Sequence, residues 1–174
     1  MKFSIQLILI LVLSLTSKHV AAQEIKTYNF NELEPIFHYQ NDTTYVINFW
    51  AMWCKPCVEE LPYFEAIRKN YTDKKVKVIL VSLDFGNNVE ERLNTFIKRK
   101  KVNSNVLILD DPDADTWIGK VAEKWDGAIP ATVIYKKDKR DVFTRQVSYE
   151  ELAESIDKMN NQSNENLNKI SDAD

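Results

Sequence analysis

A single α/β domain with a mostly parallel sheet, closed by an antiparallel hairpin and a last helix, is the architecture this sequence predicts. Three observations carry the expectation. Strand-like apolar runs alternate along the chain with apolar stripes spaced three and four residues apart, the pattern of βαβ units. Two of the runs, Tyr45 to Trp50 and Val76 to Leu83, are nearly unbroken, as in strands buried on both faces. The 174 residues, 44% hydrophobic and 28% charged, suffice for one domain with a substantial core.

The first segment, Met1 to Ala22, reads as a secretory signal peptide outside the fold. Lys2 precedes an apolar run from Ile5 to Leu15, and the segment ends in Val20-Ala21-Ala22, small residues suited to cleavage. The run is too short to cross a bilayer comfortably, which takes about twenty residues. Cleavage near Ala22 places the mature protein in the periplasm or another exported, oxidising compartment. Membrane association would follow only from an uncleaved leader.

Residues 23–159 are assigned to the domain. Ile25 to Phe30 predicts a short strand and Asn31 to Gln40 a short helix. Tyr45 to Trp50 predicts a central strand. Val58, Leu61, Phe64, Ile67 and Tyr71 mark a helix with Pro62 inside it, and Val76 to Leu83 a second central strand. Val89 to Ile97 predicts a helix with a basic end at Lys98 to Lys101, and Val106 to Leu109 a short strand. Trp117, Ile118, Val121, Ala122 and Trp125 form another helical stripe. Ala131 to Tyr135 and Val142 to Val147 predict a hairpin around the charged turn Lys136 to Asp141, which lacks the usual glycine. Tyr149, Leu152, Ile156 and Met159 mark a final helix, and residues 160–174 read as a disordered polar tail.

Composition removes several function classes. The three glycines, Gly86, Gly119 and Gly127, are isolated, so neither a P-loop nor a dinucleotide fingerprint can be written and no nucleotide cofactor is expected. A net charge of −3 argues against nucleic acid as a partner, because phosphate contacts need a surplus of lysine and arginine. His38 is the one histidine beyond the leader.

The two cysteines stand together in Trp53-Cys54-Lys55-Pro56-Cys57, after a buried strand and at the start of a helix. Three uses compete. A structural disulfide closing so short a loop would contribute only about 2 kcal/mol. A metal half-site would bind copper(I) through two thiolates more readily than zinc, which wants four ligands. Thiol–disulfide exchange needs a stabilised thiolate, a resolving thiol within reach and an open approach. A helix N-terminus stabilises the Cys54 thiolate, Lys55 adds positive charge, and Pro56 suits the first turn.

Taken together, these residues resemble the thioredoxin superfamily, and within it the exported TlpA/ResA-type thiol–disulfide oxidoreductases. Asn48-Phe49-Trp50-Ala51-Met52-Trp53-Cys54-Lys55-Pro56-Cys57 is similar to the family's strand and active-site turn. Glu60-Leu61-Pro62 matches its Glu-x-Pro element, and Ile129-Pro130-Ala131-Thr132 its cis-proline loop. The resemblance spans about residues 25–158. It implies a thioredoxin fold, a central mixed sheet flanked by helices, with a helix–strand insertion (Val89 to Leu109) after the third strand. It further implies that Cys54 attacks, Cys57 resolves and Glu60 serves as acid/base group. Trp53, Lys55, Pro56, Ile129 and Pro130 would meet the substrate. The implied activity is reduction of disulfides in envelope proteins, cytochrome c maturation being one setting. Electrons would come from a membrane thiol donor, with no cofactor beyond the Cys54–Cys57 disulfide.

One departure matters. Asn48 stands where thioredoxins carry a buried aspartate, and an amide cannot take the proton that Cys57 must lose. Glu60 or water must then take it. The dipeptide Lys55-Pro56 has no histidine, which tilts the expectation towards a reductant. A peroxidase would want Thr or Ser three residues before the cysteine, where Ala51 stands. The acidic run Asp110 to Asp115 lacks the EF-hand pattern and is read as helix capping. His38 is placed on a surface helix.

Overall fold

The computed structural model describes residues 24–171, with side chains as far as Asn161. The expected signal peptide and residues 172–174 lie outside these. Six strands, β1 (Lys26–Tyr28), β2 (Thr44–Trp50), β3 (Val76–Ser82), β4 (Asn105–Leu109), β5 (Ala131–Lys136) and β6 (Lys139–Phe143), form one sheet in the order β1-β4-β3-β2-β5-β6. The pairs β1/β4, β4/β3 and β3/β2 are parallel, whereas β2/β5 and β5/β6 are antiparallel. The helices are α1 (Phe30–Leu33, continued by a 3₁₀ turn Glu34–Phe37), α2 (Lys55–Asn70), α3 (Val89–Lys100), α4 (Ala114–Val121) and α5 (Tyr149–Ser171).

The central position of β2 explains its composition. Every residue from Thr44 to Trp50 is buried, and successive side chains go to opposite faces. Val46 and Trp50 join a core closed by Leu61, Phe64 and Ile67 of α2, Leu93 and Phe96 of α3, and Leu152 and Ile156 of α5. Tyr45, Ile47 and Phe49 join a second core under α1 and α4. The second core is an aromatic layer: the Phe49 ring lies 4.7 Å from Trp125, 6.0 Å from Phe37 and 6.3 Å from Trp117. As expected, α3 and β4 form a helix–strand insertion after the third strand, and β4 carries the sheet out to β1.

Several local expectations are corrected. Helix α4 stops at Val121, where Ala122 is extended, although the apolar stripe continues to Trp125. Trp125 reaches the same layer from a turn, its N–H bonded to the Ala122 carbonyl and its indole N–H to the Ala128 carbonyl at 2.7 Å. In that turn Gly127 has φ +87°, and a Cβ there would come within 2.6 Å of Ile118 Cδ1. The hairpin turns at Lys137 and Asp138, so β6 begins at Lys139 and ends at Phe143. Lys137 takes the left-handed conformation (φ 54°) that glycine would have supplied. Helix α5, expected to end at Met159, runs to Ser171. No Pro or Gly interrupts it, and Asn160 anchors its middle by accepting from Thr44 Oγ1 and Lys136 Nζ. Ser148 and Glu151 form a capping box at its start.

The acidic run differs from its expected role as well. Asp113 precedes α4 without a side-chain cap bond. Asp111 instead accepts the Phe30 N–H (2.9 Å) and the Asp113 N–H (3.1 Å), and so ties α1 to the loop after β4. His38 follows the 3₁₀ turn and is exposed.

The α1 region is joined to β5 by one phenol. Tyr135, fully buried, donates to the Ile36 carbonyl at 2.6 Å and accepts from the Tyr39 N–H at 3.2 Å. Tyr135→Phe strips two backbone groups of their partner, and a loss of about 1–3 kcal/mol is expected. Urea denaturation should show a lower midpoint at unchanged slope; an unchanged midpoint would show that water replaces the hydroxyl without cost.

Candidate active site

The site is assembled where β2 ends. Trp50, its last residue, accepts the Leu83 N–H at 2.8 Å, which joins the loops after β2 and β3. Asp84, 3% exposed, accepts from the Met52 N–H at 2.9 Å and from Ser82 Oγ at 2.8 Å. Its carboxylate thus fixes the turn that the Cys54 N–H closes on the Ala51 carbonyl at 3.1 Å. Asp84 was not singled out from the sequence. Its signal was an acidic residue just past the C-terminal end of a parallel strand, where α/β sheets gather their functional groups.

Cys54 is the N-cap of α2, in extended conformation (φ −85°, ψ 99°), and its sulfur accepts from the Cys57 N–H at 3.4 Å. Pro56 lies in the first turn, where its missing N–H leaves no gap. Cys54 and Cys57 are bonded as a disulfide, with 5.3 Å between their Cα atoms. The two sulfurs are not equivalent: Cys54 is 6% exposed, and Cys57 is wholly buried against the core. Lys55 is exposed and pairs with Glu59 at 3.7 Å. Trp53 is 65% exposed.

Antiparallel pairing of β5 with β2 brings the second loop to the cysteines. Ala131 is opposite Phe49, so the residues before Ala131 flank the end of β2. The Ile129–Pro130 peptide is cis, and the Ile129 carbonyl oxygen lies 3.7 Å from Cys54 Sγ. Pro130 is buried and Ile129 partly so.

Glu60, three residues after Cys57 on the same face of α2, is fully buried. Its Oε1 accepts from Asn48 Nδ2 and its Oε2 from the Val147 N–H, both at 2.9 Å. Asn48 Nδ2 also donates to Thr132 Oγ1 at 3.0 Å, while Asn48 Oδ1 is buried without a partner. Burial pushes the Glu60 carboxyl up from its ordinary 4.5 to about 7, against the opposing pull of the Val147 and Asn48 hydrogen bonds. Every residue singled out for the site thus falls on one end of the sheet: two sulfurs, a carboxyl beneath them, a cis-proline loop beside them. Among the described residues no group of three or more His, Cys, Asp or Glu is placed to hold a metal ion.

The chain is similar to several known proteins. The thioredoxin-like protein YneN of Bacillus subtilis (strain 168) is 35% identical over 63 residues, 36% of this chain and 36% of YneN. Thiol-disulfide oxidoreductase ResA of Bacillus thuringiensis subsp. konkukian is 25% identical over 111 residues, 64% of this chain and 58% of ResA. The chain therefore spans less than two thirds of these curated relatives. Among solved structures, a DsbF homologue from Corynebacterium diphtheriae superposes with a TM-score of 0.56 at 24% identity, covering 68% of this chain and 73% of that one. StoA from Bacillus subtilis superposes with a TM-score of 0.51 at 22% identity, over 66% and 83%. These likenesses establish the thioredoxin fold. The model of the AhpC/TSA family matches residues 16–140, more than two thirds of the sequence, and the chain accordingly belongs to that family.

Proposed function

We propose that this protein is an exported thiol–disulfide oxidoreductase that reduces disulfides of envelope proteins through Cys54 and Cys57. The observation that carries the reading is a disulfide at a helix N-terminus whose outer sulfur faces the Ile129–Pro130 loop and whose inner sulfur is buried one helical turn from Glu60. A leader-like segment at Met1 to Ala22 supports export, as do neighbours described as secreted, among them a thiol-disulfide isomerase from Corynebacterium glutamicum.

In the reduced enzyme the Cys54 thiolate is stabilised by the free N–H groups of the first turn of α2. It attacks a client disulfide, forms the mixed disulfide and expels one client sulfur as thiolate. Cys57 then gives its proton to Glu60 and attacks Cys54 Sγ. The second client sulfur leaves, and the Cys54–Cys57 bond is restored. Two electrons stay on the client as its two thiols, and a membrane thiol donor supplies a fresh pair that reduces the Cys54–Cys57 disulfide, its own dithiol becoming a disulfide. Cytochrome c maturation is one setting for such a client.

Reduction of insulin disulfides tests the reading. Cys54→Ser should abolish turnover, and Cys57→Ser should accumulate a mixed disulfide visible on non-reducing gels. Turnover by the Cys54 variant would end the assignment. The direction of flow is read from the potential of the couple: a value near −270 mV marks a reductant, one near −120 mV an oxidant.

Glu60 gives two further readouts. Ionised Glu60 is the proton acceptor, so the resolving step should accelerate as pH rises through about 7. Glu60→Gln should lower the rate about 10²-fold and remove that limb of the profile. The folded pKa lies above the unfolded value, so the folded state holds an extra proton between pH 4.5 and about 7. The stabilising contribution of that proton is complete below the window and is lost, by up to about 3 kcal/mol, as pH rises through it. Thermal unfolding should therefore show the Gln variant gaining on the parent protein from pH 5 to 8; parallel curves would mean that Glu60 is not the titrating group.

A further inference from the structure

Strand β6 ends the sheet opposite β1 and is separated by β5 from β2, which leads into the disulfide turn. Its hairpin with β5 has a two-residue turn, so Lys136 and Lys139 exchange hydrogen bonds, and bonded pairs then alternate with non-bonded ones. Ile134 with Asp141 and Thr132 with Phe143 are the further bonded pairs. The backbone N–H and C=O groups of Arg140 and Val142 therefore point to the open edge, where they have no partner among the described residues. Proteins ordinarily guard such an edge with a proline, a bulge or outward charges. Strand β6 has no proline, and its register with β5 runs unbroken from Lys139 to Phe143. Its Arg140 and Asp141 side chains are turned to the faces. Arg140 donates to the Val121 and Phe37 carbonyls at 2.9 and 2.7 Å, and Asp141 accepts from Ser155 Oγ at 2.9 Å. Val142, next along, is 39% exposed. A recess of about 490 Å³ lies at this edge, lined by Arg140, Val142 and Thr144 and, from the end of α4 onward, by Lys120 and Lys124.

We propose that the outer edge of β6 is a docking site for an acidic, extended segment of a partner protein, which adds a strand to the sheet. The proposal goes beyond the exchange function and does not depend on it. Backbone pairing comes from the outward groups of Arg140 and Val142. Side chains of an added strand alternate between faces, so every second one lies on the face of the recess. Three cations line that recess against one carboxylate, Glu123, which selects acidic side chains there. Lys124 has no ion pair or hydrogen bond among the described residues, so its charge is free to meet one of them. Exposed Val142 suits an aliphatic residue between the acids. A second copy of β6 is the poorer occupant. Antiparallel pairing centred on Val142 sets Lys139 of one chain opposite Arg145 of the other, like charges that repel.

The test is fluorescence anisotropy of the full protein with a labelled, threonine-rich peptide that has a glutamate two residues to either side of a central valine. A control peptide carries lysine in place of each glutamate. The glutamate peptide should bind saturably and about tenfold more tightly than the control. Val142→Pro removes the outward N–H without removing a bond to β5, and should weaken the glutamate peptide about tenfold. Lys124→Glu should weaken it by a similar factor, about tenfold, and tighten the control. No binding of the glutamate peptide, or equal binding of the two peptides, overturns the proposal. Unchanged binding by Val142→Pro overturns strand addition; if that variant loses the parent's thermal midpoint, Lys124→Glu decides, and unchanged binding by it overturns the acidic partner. A dimer in sedimentation velocity that Val142→Pro dissociates makes a second copy the occupant and likewise overturns the proposal. Insulin reduction by Lys124→Glu should match the parent's, so loss of docking and loss of exchange are read apart.

Discussion

A carboxyl group without access to water must be given partners by the protein, and around Glu60 that requirement joins four segments. Asn48 comes from β2, Thr132 from β5, Glu60 from α2 and the Val147 N–H from the approach to α5. Each is placed by the sheet and its covering helices, so the slot beneath the disulfide has the rigidity of the domain's centre. The result is a carboxyl whose hold on its proton is set by burial, one helical turn from the buried Cys57. The same burial makes the site costly to ionise, a destabilisation that the cores on both faces of β2 offset.

Those two cores divide the labour. The face under α2, α3 and α5 is mainly aliphatic and receives Cys57 and Glu60. The other is a layer of rings, with Phe49 against Phe37, Trp117 and Trp125, and Trp117 against Trp125. Large flat side chains bury much area with few rotatable bonds, which suits a layer whose task is to hold β2 still. The insertion of α3 and β4 serves the first face with Leu93 and Phe96. It also places Arg92 where it can hold the loop carrying Phe85.

The sequence disclosed what depends on short-range pattern and chemistry. The central strands, the helix opened by Cys54, the cysteine pair and the Pro130 loop all follow from periodicity, from spacing or from matched motifs. The misreadings arise where a distant contact decides. Trp125 continues a helical spacing beyond Val121, but its indole is held by the Ala128 carbonyl in a turn, and both routes bring a ring to the same layer. Lys137 gave no turn signal, because pairing of β5 with β6 imposes on it a conformation that its side chain does not favour. Met159 ends the apolar stripe without ending the helix. Glu60 was visible as a carboxylate near a helix start, where such groups commonly face solvent. Its burial follows from strands that only the folded sheet brings over it. Asp84 had one signal, its place just past the C-terminal end of a parallel strand, but its partner, the Met52 N–H, lies in another loop that only the folded sheet brings to it.

Asn48 shows why an amide can be the better neighbour for such a carboxyl. An aspartate there would set a second negative charge against Glu60 in a dry slot, driving one of the two to remain protonated. The amide carries no charge and offers a donor at one end and an acceptor at the other. Nδ2 donates to the carboxylate at 2.9 Å, while Oδ1 is buried and unused. Once Glu60 is protonated it needs an acceptor for its own O–H. Nδ2 is held besides by Thr132 Oγ1 at 3.0 Å and the Ala131 carbonyl at 3.4 Å, which orients the amide with its donor towards Glu60, so the ionised carboxyl is the state these contacts serve.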